Sequence, residues 1–134
     1  MTFRWTVVQI VGVPTETSCV QITPDVSGSY TEVDPLPQGR SMASFILLPN
    51  GLIFCVNGAN MGTAGYGNNT WAIGQSFADQ PVLTPLLFNP EAPAGQQWSS
   101  NGLSASTIPR MYHSSATLLP DGMCNTVVTD YSFR

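Results

Sequence analysis

Few residues in this 134-residue chain could do chemistry. Its one histidine, His113, directly follows Tyr112. Imidazole and phenolate are both metal-ligand types. They are equally at home as packing residues, and a single histidine in a β-rich chain is most often a hydrogen-bonded structural one. Neighbouring residues of a strand face opposite sides. Tyr112 and His113 can therefore reach one metal only where a strand begins or bends, and Pro109 favours a strand start there. Cys19, Cys55 and Cys124 lie far apart with no Cys-x-x-Cys spacing, so no zinc site is written in the sequence. Their odd number leaves at least one thiol unpaired within the chain. The others are either buried free thiols or one disulfide formed in an oxidising compartment.

The remaining candidates are less specific. Asp25, Glu32 and Asp34 form no pair poised for acid–base work, and nothing places an acid beside His113. Gly62-Thr63-Ala64-Gly65-Tyr66-Gly67 lacks the G-x-G-x-x-G spacing of a nucleotide site and reads as a loop that needs positive φ. Asn68-Asn69-Thr70 is an N-x-[ST] sequon, which makes Asn68 a candidate glycan acceptor on a surface loop. Trp71 and Trp98 either pack between strands or line a small-molecule pocket.

These residues must be positioned by short strands. Eleven prolines and twelve glycines break the chain into pieces, and helical periodicity is poor throughout. Apolar stretches predict strands at 6–11, 18–22, 44–48, 52–57, 82–88, 114–119 and 125–129. Between two pairs of them stand Pro49-Asn50-Gly51 and Pro120-Asp121-Gly122. Proline presets φ, and Asn-Gly or Asp-Gly supplies positive φ angles, so each predicts a β-hairpin turn. The two hairpins also form an internal repeat: residues 44–51 align with 115–122, with Arg40 and Arg110 upstream. A fixed period in an all-β chain points to a propeller. The offset from Gly51 to Gly122 exceeds the ~50 residues of a kelch blade, so an insertion is expected within 57–67 and 71–80.

Composition narrows the partners. Hydrophobic residues make up 43% of the chain, a globular value. Only 9% of residues are charged, against about 25% in typical domains. Four scattered basic residues and a net charge of −4 cannot form a phosphate-binding stripe, which argues against nucleic acid. No apolar run approaches the ~20 residues of a membrane span. The short apolar stretch after Arg4 does not make a convincing signal peptide.

Residues 18–58, 62–81 and 106–122 together resemble the fungal glyoxal oxidases, extracellular copper radical oxidases related to galactose oxidase. The pattern R-x-x-H-x-x-x-x-x-L-P-D-G, spanning Arg110 to Gly122, is the kelch-type part of that resemblance. The resemblance runs from Ser18 to Gly122, about four fifths of the chain. It implies a kelch-type β-propeller, of which this length supplies about two blades with long loops. It implies oxidation of a small aldehyde with reduction of O₂ to H₂O₂. It also implies copper, with Tyr112 as axial ligand and catalytic residue and His113 as equatorial ligand. The family's second histidine and its cysteine-linked tyrosine belong to segments not matched here. The expectation is therefore that 18–122 is an oxidase segment that neither retains copper nor turns over alone. Residues 1–17 and 123–134 do not look like family sequence, as if the gene product were truncated or mis-joined. The alternative function is a small kelch-like binding or structural module without chemistry, for which mutation of Tyr112 and His113 would leave partner binding unchanged.

Overall fold

A computed structural model of the chain describes residues 2–3, 13–66 and 76–127. They form an all-β structure with no helix, hence none long and apolar enough to cross a membrane. Strands β1 (Thr2–Phe3), β2 (Cys19–Ile22) and β3 (Tyr30–Val33) make one antiparallel sheet. Strands β4 (Ser44–Leu47), β5 (Ile53–Val56), β8 (Leu86–Phe88) and β9 (Trp98–Ser99) make a second, in the order β4-β5-β8-β9. Strands β6 (Ala59–Met61) and β7 (Asp79–Pro81) pair separately, as do β10 (Ser115–Leu118) and β11 (Cys124–Val127). None of these sheets closes on itself.

Both turn-directed hairpins form. Leu47 pairs with Ile53 and Leu118 with Cys124. In the first, Leu48 N–H donates to Leu52 O at 2.8 Å and Gly51 N–H to Leu48 O at 3.0 Å. In the second, Leu119 N–H donates to Met123 O at 2.7 Å and Gly122 N–H to Leu119 O at 3.0 Å. The turn chemistry differs from the expected pair of positive φ angles. Only the glycines are left-handed, at φ 82° and 83°. Asn50 and Asp121 instead accept from Leu52 N–H and Met123 N–H through their side-chain oxygens. This is the three-residue loop of a type I turn closed by a left-handed glycine.

Of the expected strand 82–88 only the last three residues form a strand, β8. Val82 N–H turns away to Gly58 O at 3.0 Å, and Pro85 has no N–H to offer a ladder. Strand β7 ends just before this run, at Pro81, and pairs with β6 in the excursion expected between the repeats. The expected strand 6–11 lies outside the described residues.

The core follows from alternation on β5 and β8. Ile53 and Cys55 point inward from β5, as do Leu86 and Phe88 from β8. Phe88 is fully buried, its ring 4.8 Å from that of Trp98. Cys19, Leu36, Cys55 and Leu86 form one cluster, with Val33, Ala43, Phe45 and Trp98 packed on it.

Candidate metal-ligand pair

Tyr112 and His113 do not lie in a strand. They are the central residues of a turn in which Ser114 N–H donates to Met111 O at 3.4 Å and Ser114 Oγ donates to the same oxygen at 2.8 Å. Strand β10 begins only at Ser115. His113 is left-handed, φ 56°. A positive φ at the third position of a turn is the type II pattern, usually given to glycine. It removes the strand-face problem, because the two residues stand in a bend and not in an extended strand. The two rings stand 4.1 Å apart between centroids, inclined at 63°. Tyr112 is half-buried and His113 exposed.

The left-handed residue recurs in the first repeat: Met42, which aligns with His113, has the same φ of 56°. Its predecessor differs in setting as well as side chain, since Ser41 is buried in a bridge to Ala59 whereas Tyr112 lies in the Met111–Ser114 turn.

Three contacts hold the turn in place. Gly58 N–H donates to Arg110 O at 2.8 Å, Asn57 Nδ2 to Ser115 O at 3.4 Å, and Ser106 N–H to Leu83 O at 2.9 Å. Arg110 folds back on its own loop, donating to Ser106 Oγ and Ile108 O. A cleft of about 190 Å³ beside this anchor is lined by Asn57, Val82, Ser106, Ile108, Arg110 and Cys124 among others, but by neither residue of the pair.

The glycine-rich loop does reach the pair. The ring of Tyr66 meets that of Tyr112 edge-on, with 5.0 Å between centroids. Sequence reasoning named this loop, Tyr66 included, but not its contact with Tyr112, because the two tyrosines are far apart along the chain and no local pattern links them. Asn68 and Trp71 lie outside the described residues.

The donor set suits a metal in kind but is short in number. Neutral imidazole and phenolate both suit copper. Among the described residues no group of three or more His, Cys, Asp or Glu side chains could hold an ion. Cys19, Cys55 and Cys124 are all free thiols, the first two buried and the third exposed. Burial pushes the Cys55 thiol up to about 11, despite the neighbouring Arg40. It is neutral at pH 7 and serves as core.

Arg40, unlike Arg110, is buried. It donates to Cys55 O, Cys55 Sγ and Thr84 O, while its Nε finds no partner. Burial pulls its guanidinium below the ordinary value. Trp98 fits both expectations: its ring packs tilted against Phe88 and its Nε1 donates to Asp34 O at 2.8 Å, and it also lines a cleft of about 360 Å³ with Arg40 and Thr84.

Asp34 has a structural task that its sequence context does not announce. Its carboxylate accepts from Gly95 N–H at 2.7 Å and Gln97 N–H at 2.8 Å, and its own N–H donates to Gln97 Oε1. Those N–H groups, Gln97 first, hold its carboxyl below the ordinary value of 3.8. The depressed value means that the stabilisation is complete above that ordinary value. It is lost as pH falls through the lower, folded one. We therefore expect Asp34→Asn to lower the melting temperature at pH 7 and to converge with the parent in acid. Melting curves from pH 7 down to pH 2 check this, and a pH-independent gap would refute it.

Comparison with known proteins identifies the family. The family model for the glyoxal oxidase N-terminus matches residues 6–129. An aldehyde oxidase GLOX of Vitis pseudoreticulata is 36% identical over 109 residues, covering 81% of this chain and 19% of that protein. Aldehyde oxidase GLOX1 of Arabidopsis thaliana is 36% identical over 104 residues, covering 78% and 15%. The chain thus spans about a fifth or less of the length of these relatives. A solved fungal alcohol oxidase of the AA5 family, in complex with copper, shares the fold at a TM-score of 0.57 and 21% identity, over 87% of this chain and 21% of that one. With the family model spanning most of its length, the chain belongs to the glyoxal oxidase family.

Proposed function

We propose that this chain is a segment of a copper radical oxidase of the glyoxal oxidase type, in which Tyr112 and His113 are two of the copper ligands. The observation that carries the reading is the left-handed turn at His113, which sets phenol and imidazole side by side. The overall reaction takes two electrons and two protons from a small aldehyde hydrate and passes them to O₂, giving the acid and H₂O₂. Copper, when bound, supplies the one-electron steps that let O₂ react. The chain's own residues supply donors and aim. Tyr112 would hold the ion through its phenolate oxygen and His113 through a neutral ring nitrogen. The Gly58 and Asn57 contacts keep the turn from straightening.

The sheets are read as about two blades of a kelch-type propeller, supported by two aligned hairpins that repeat the same hydrogen bonds. The extracellular setting of the family is part of the same proposal. So is inactivity alone, since one tyrosine and one histidine make only a two-donor site.

The test loads the purified chain with Cu(II) and assays H₂O₂ formation from methylglyoxal. We expect no turnover above a free-copper blank, and robust turnover would overturn the claim of inactivity. Isothermal titration with Cu(II) should show weak binding that falls roughly tenfold or more in the Tyr112→Phe, His113→Ala double variant. Binding unchanged in that variant would overturn the ligand assignment.

A further inference from the structure

We propose that Tyr66 is a positioning residue for the Tyr112–His113 pair: its ring fixes the rotamer of Tyr112, and Tyr112 in turn fixes the face that His113 presents. The proposal rests on the reading of that pair as metal ligands.

Tyr112 needs such a restraint. The Met111–Ser114 turn fixes its backbone but not the torsion about its Cα–Cβ bond, and the side chain is only half-buried. Ring contacts come from two sides: His113 at 4.1 Å and Tyr66 at 5.0 Å between centroids. Both are edge-on, at 63° and 69°. Such geometry sets the positive edge of one ring against the negative face of the other and resists rotation. The three rings form a row in which the middle one is a donor in the proposed site.

Tyr66 can hold Tyr112 only if it is itself held, and its loop is built for that. Gly62 N–H donates to Val13 O at 3.0 Å and Phe77 N–H to Gly65 O at 2.9 Å. Tyr66 bridges to Ser76 as an isolated antiparallel pair. Both glycines are left-handed, at φ 81° and 119°. A Cβ on Gly62 would overlap the carbonyl oxygen of Phe77, and one on Gly65 would stand 3.1 Å from the Phe77 ring. The loop therefore closes against Phe77 with no room for a side chain. Tyr66 stays 44% exposed, so its ring is not explained by core burial.

His113 is a convenient reporter, because the single histidine gives a single imidazole Hε1 signal. The experiment records it by NMR on the full chain without metal. In the parent, the Tyr112 ring should displace this signal from its random-coil position. Tyr66→Phe keeps the ring and should leave the displacement intact. Tyr66→Ala should shrink it by roughly half or more as Tyr112 is released. Tyr66→Leu keeps bulk without the ring and should behave like Tyr66→Ala, which guards against mere loss of packing. Dispersed methyl signals in each variant certify the fold. A His113 signal that stays put in folded Tyr66→Ala overturns the proposal.

Added Cu(II) then separates this idea from the ligand assignment. Paramagnetic broadening of His113 in the parent reports copper at the pair, and Tyr66→Ala should need about tenfold more Cu(II) for equal broadening. Equal broadening in both also overturns positioning. If the parent shows none, the copper reading fails while the metal-free shifts still decide the role of Tyr66.

Discussion

Gly58→Ala is expected to lower stability by about 3 kcal/mol and to loosen the Tyr112–His113 turn at the same time. Gly58 follows β5 directly after Asn57, and both residues are left-handed, at φ 104° and 65°. A Cβ on Gly58 would stand 2.5 Å from Ser41 O and 2.9 Å from Arg40 Cγ. The first neighbour is backbone, bound to Ala59 N–H at 3.0 Å, and cannot yield cheaply. Gly58 also donates to Arg110 O and accepts from Val82 N–H. Any shift at Gly58 therefore pulls on the loop that carries the pair. Gly51→Ala is the matched control. Gly51 is left-handed too, at φ 82°, but nothing lies within 4 Å of its added Cβ. It should lose only the conformational term, about 1 kcal/mol. Urea unfolding of both variants with unchanged slopes measures the difference. Equal losses would show that the overlap with Ser41 O relaxes at no cost.

Phe88→Ala is expected to cost about 3–5 kcal/mol. The ring is fully buried, pairs with Ile53 on one side and Trp98 on the other, and joins three strands of the four-stranded sheet. Domains of this size are stable by only about 5–15 kcal/mol, so the variant should lose a large share of the total. Phe88→Leu should recover more than half of the loss, since it refills most of the cavity. Thermal and urea unfolding measure both. A loss below about 1 kcal/mol would mean that Trp98 collapses into the space.

The sequence was most legible where structure is local. Pro49-Asn50-Gly51 and Pro120-Asp121-Gly122 carry their turn within three residues, so both hairpins can be placed from residue types alone. The finer expectation of paired positive φ angles missed the Asx bonds, because either turn satisfies the same three residues. The run 82–88 misled because hydrophobicity does not reveal where an N–H points. Val82 bonds Gly58, across the chain. Strands β6 and β7 and the Asp34 clamp escaped notice for the same reason, since Asp34 meets Gly95 and Gln97 from a distant part of the chain.

The candidate site divides in the same way. The Tyr112–His113 dipeptide was readable from its motif. Its geometry depends on one backbone angle, and the requirement for a bend was as far as residue types could go. Tyr66 needed the closed loop against Phe77 before it could be seen beside Tyr112.

The φ of 56° shared by Met42 and His113 has a consequence for how such a site can arise. The left-handed residue is present in both copies, with or without donors. In the first its predecessor Ser41 is tied into a bridge with Ala59, while in the second Tyr112 sits in the Met111–Ser114 turn. A donor pair needs that difference in hydrogen bonding as well as a change of side chain. In a repeat fold one backbone angle can thus recur, and the bonds and residues around it determine which copy becomes a centre of chemistry.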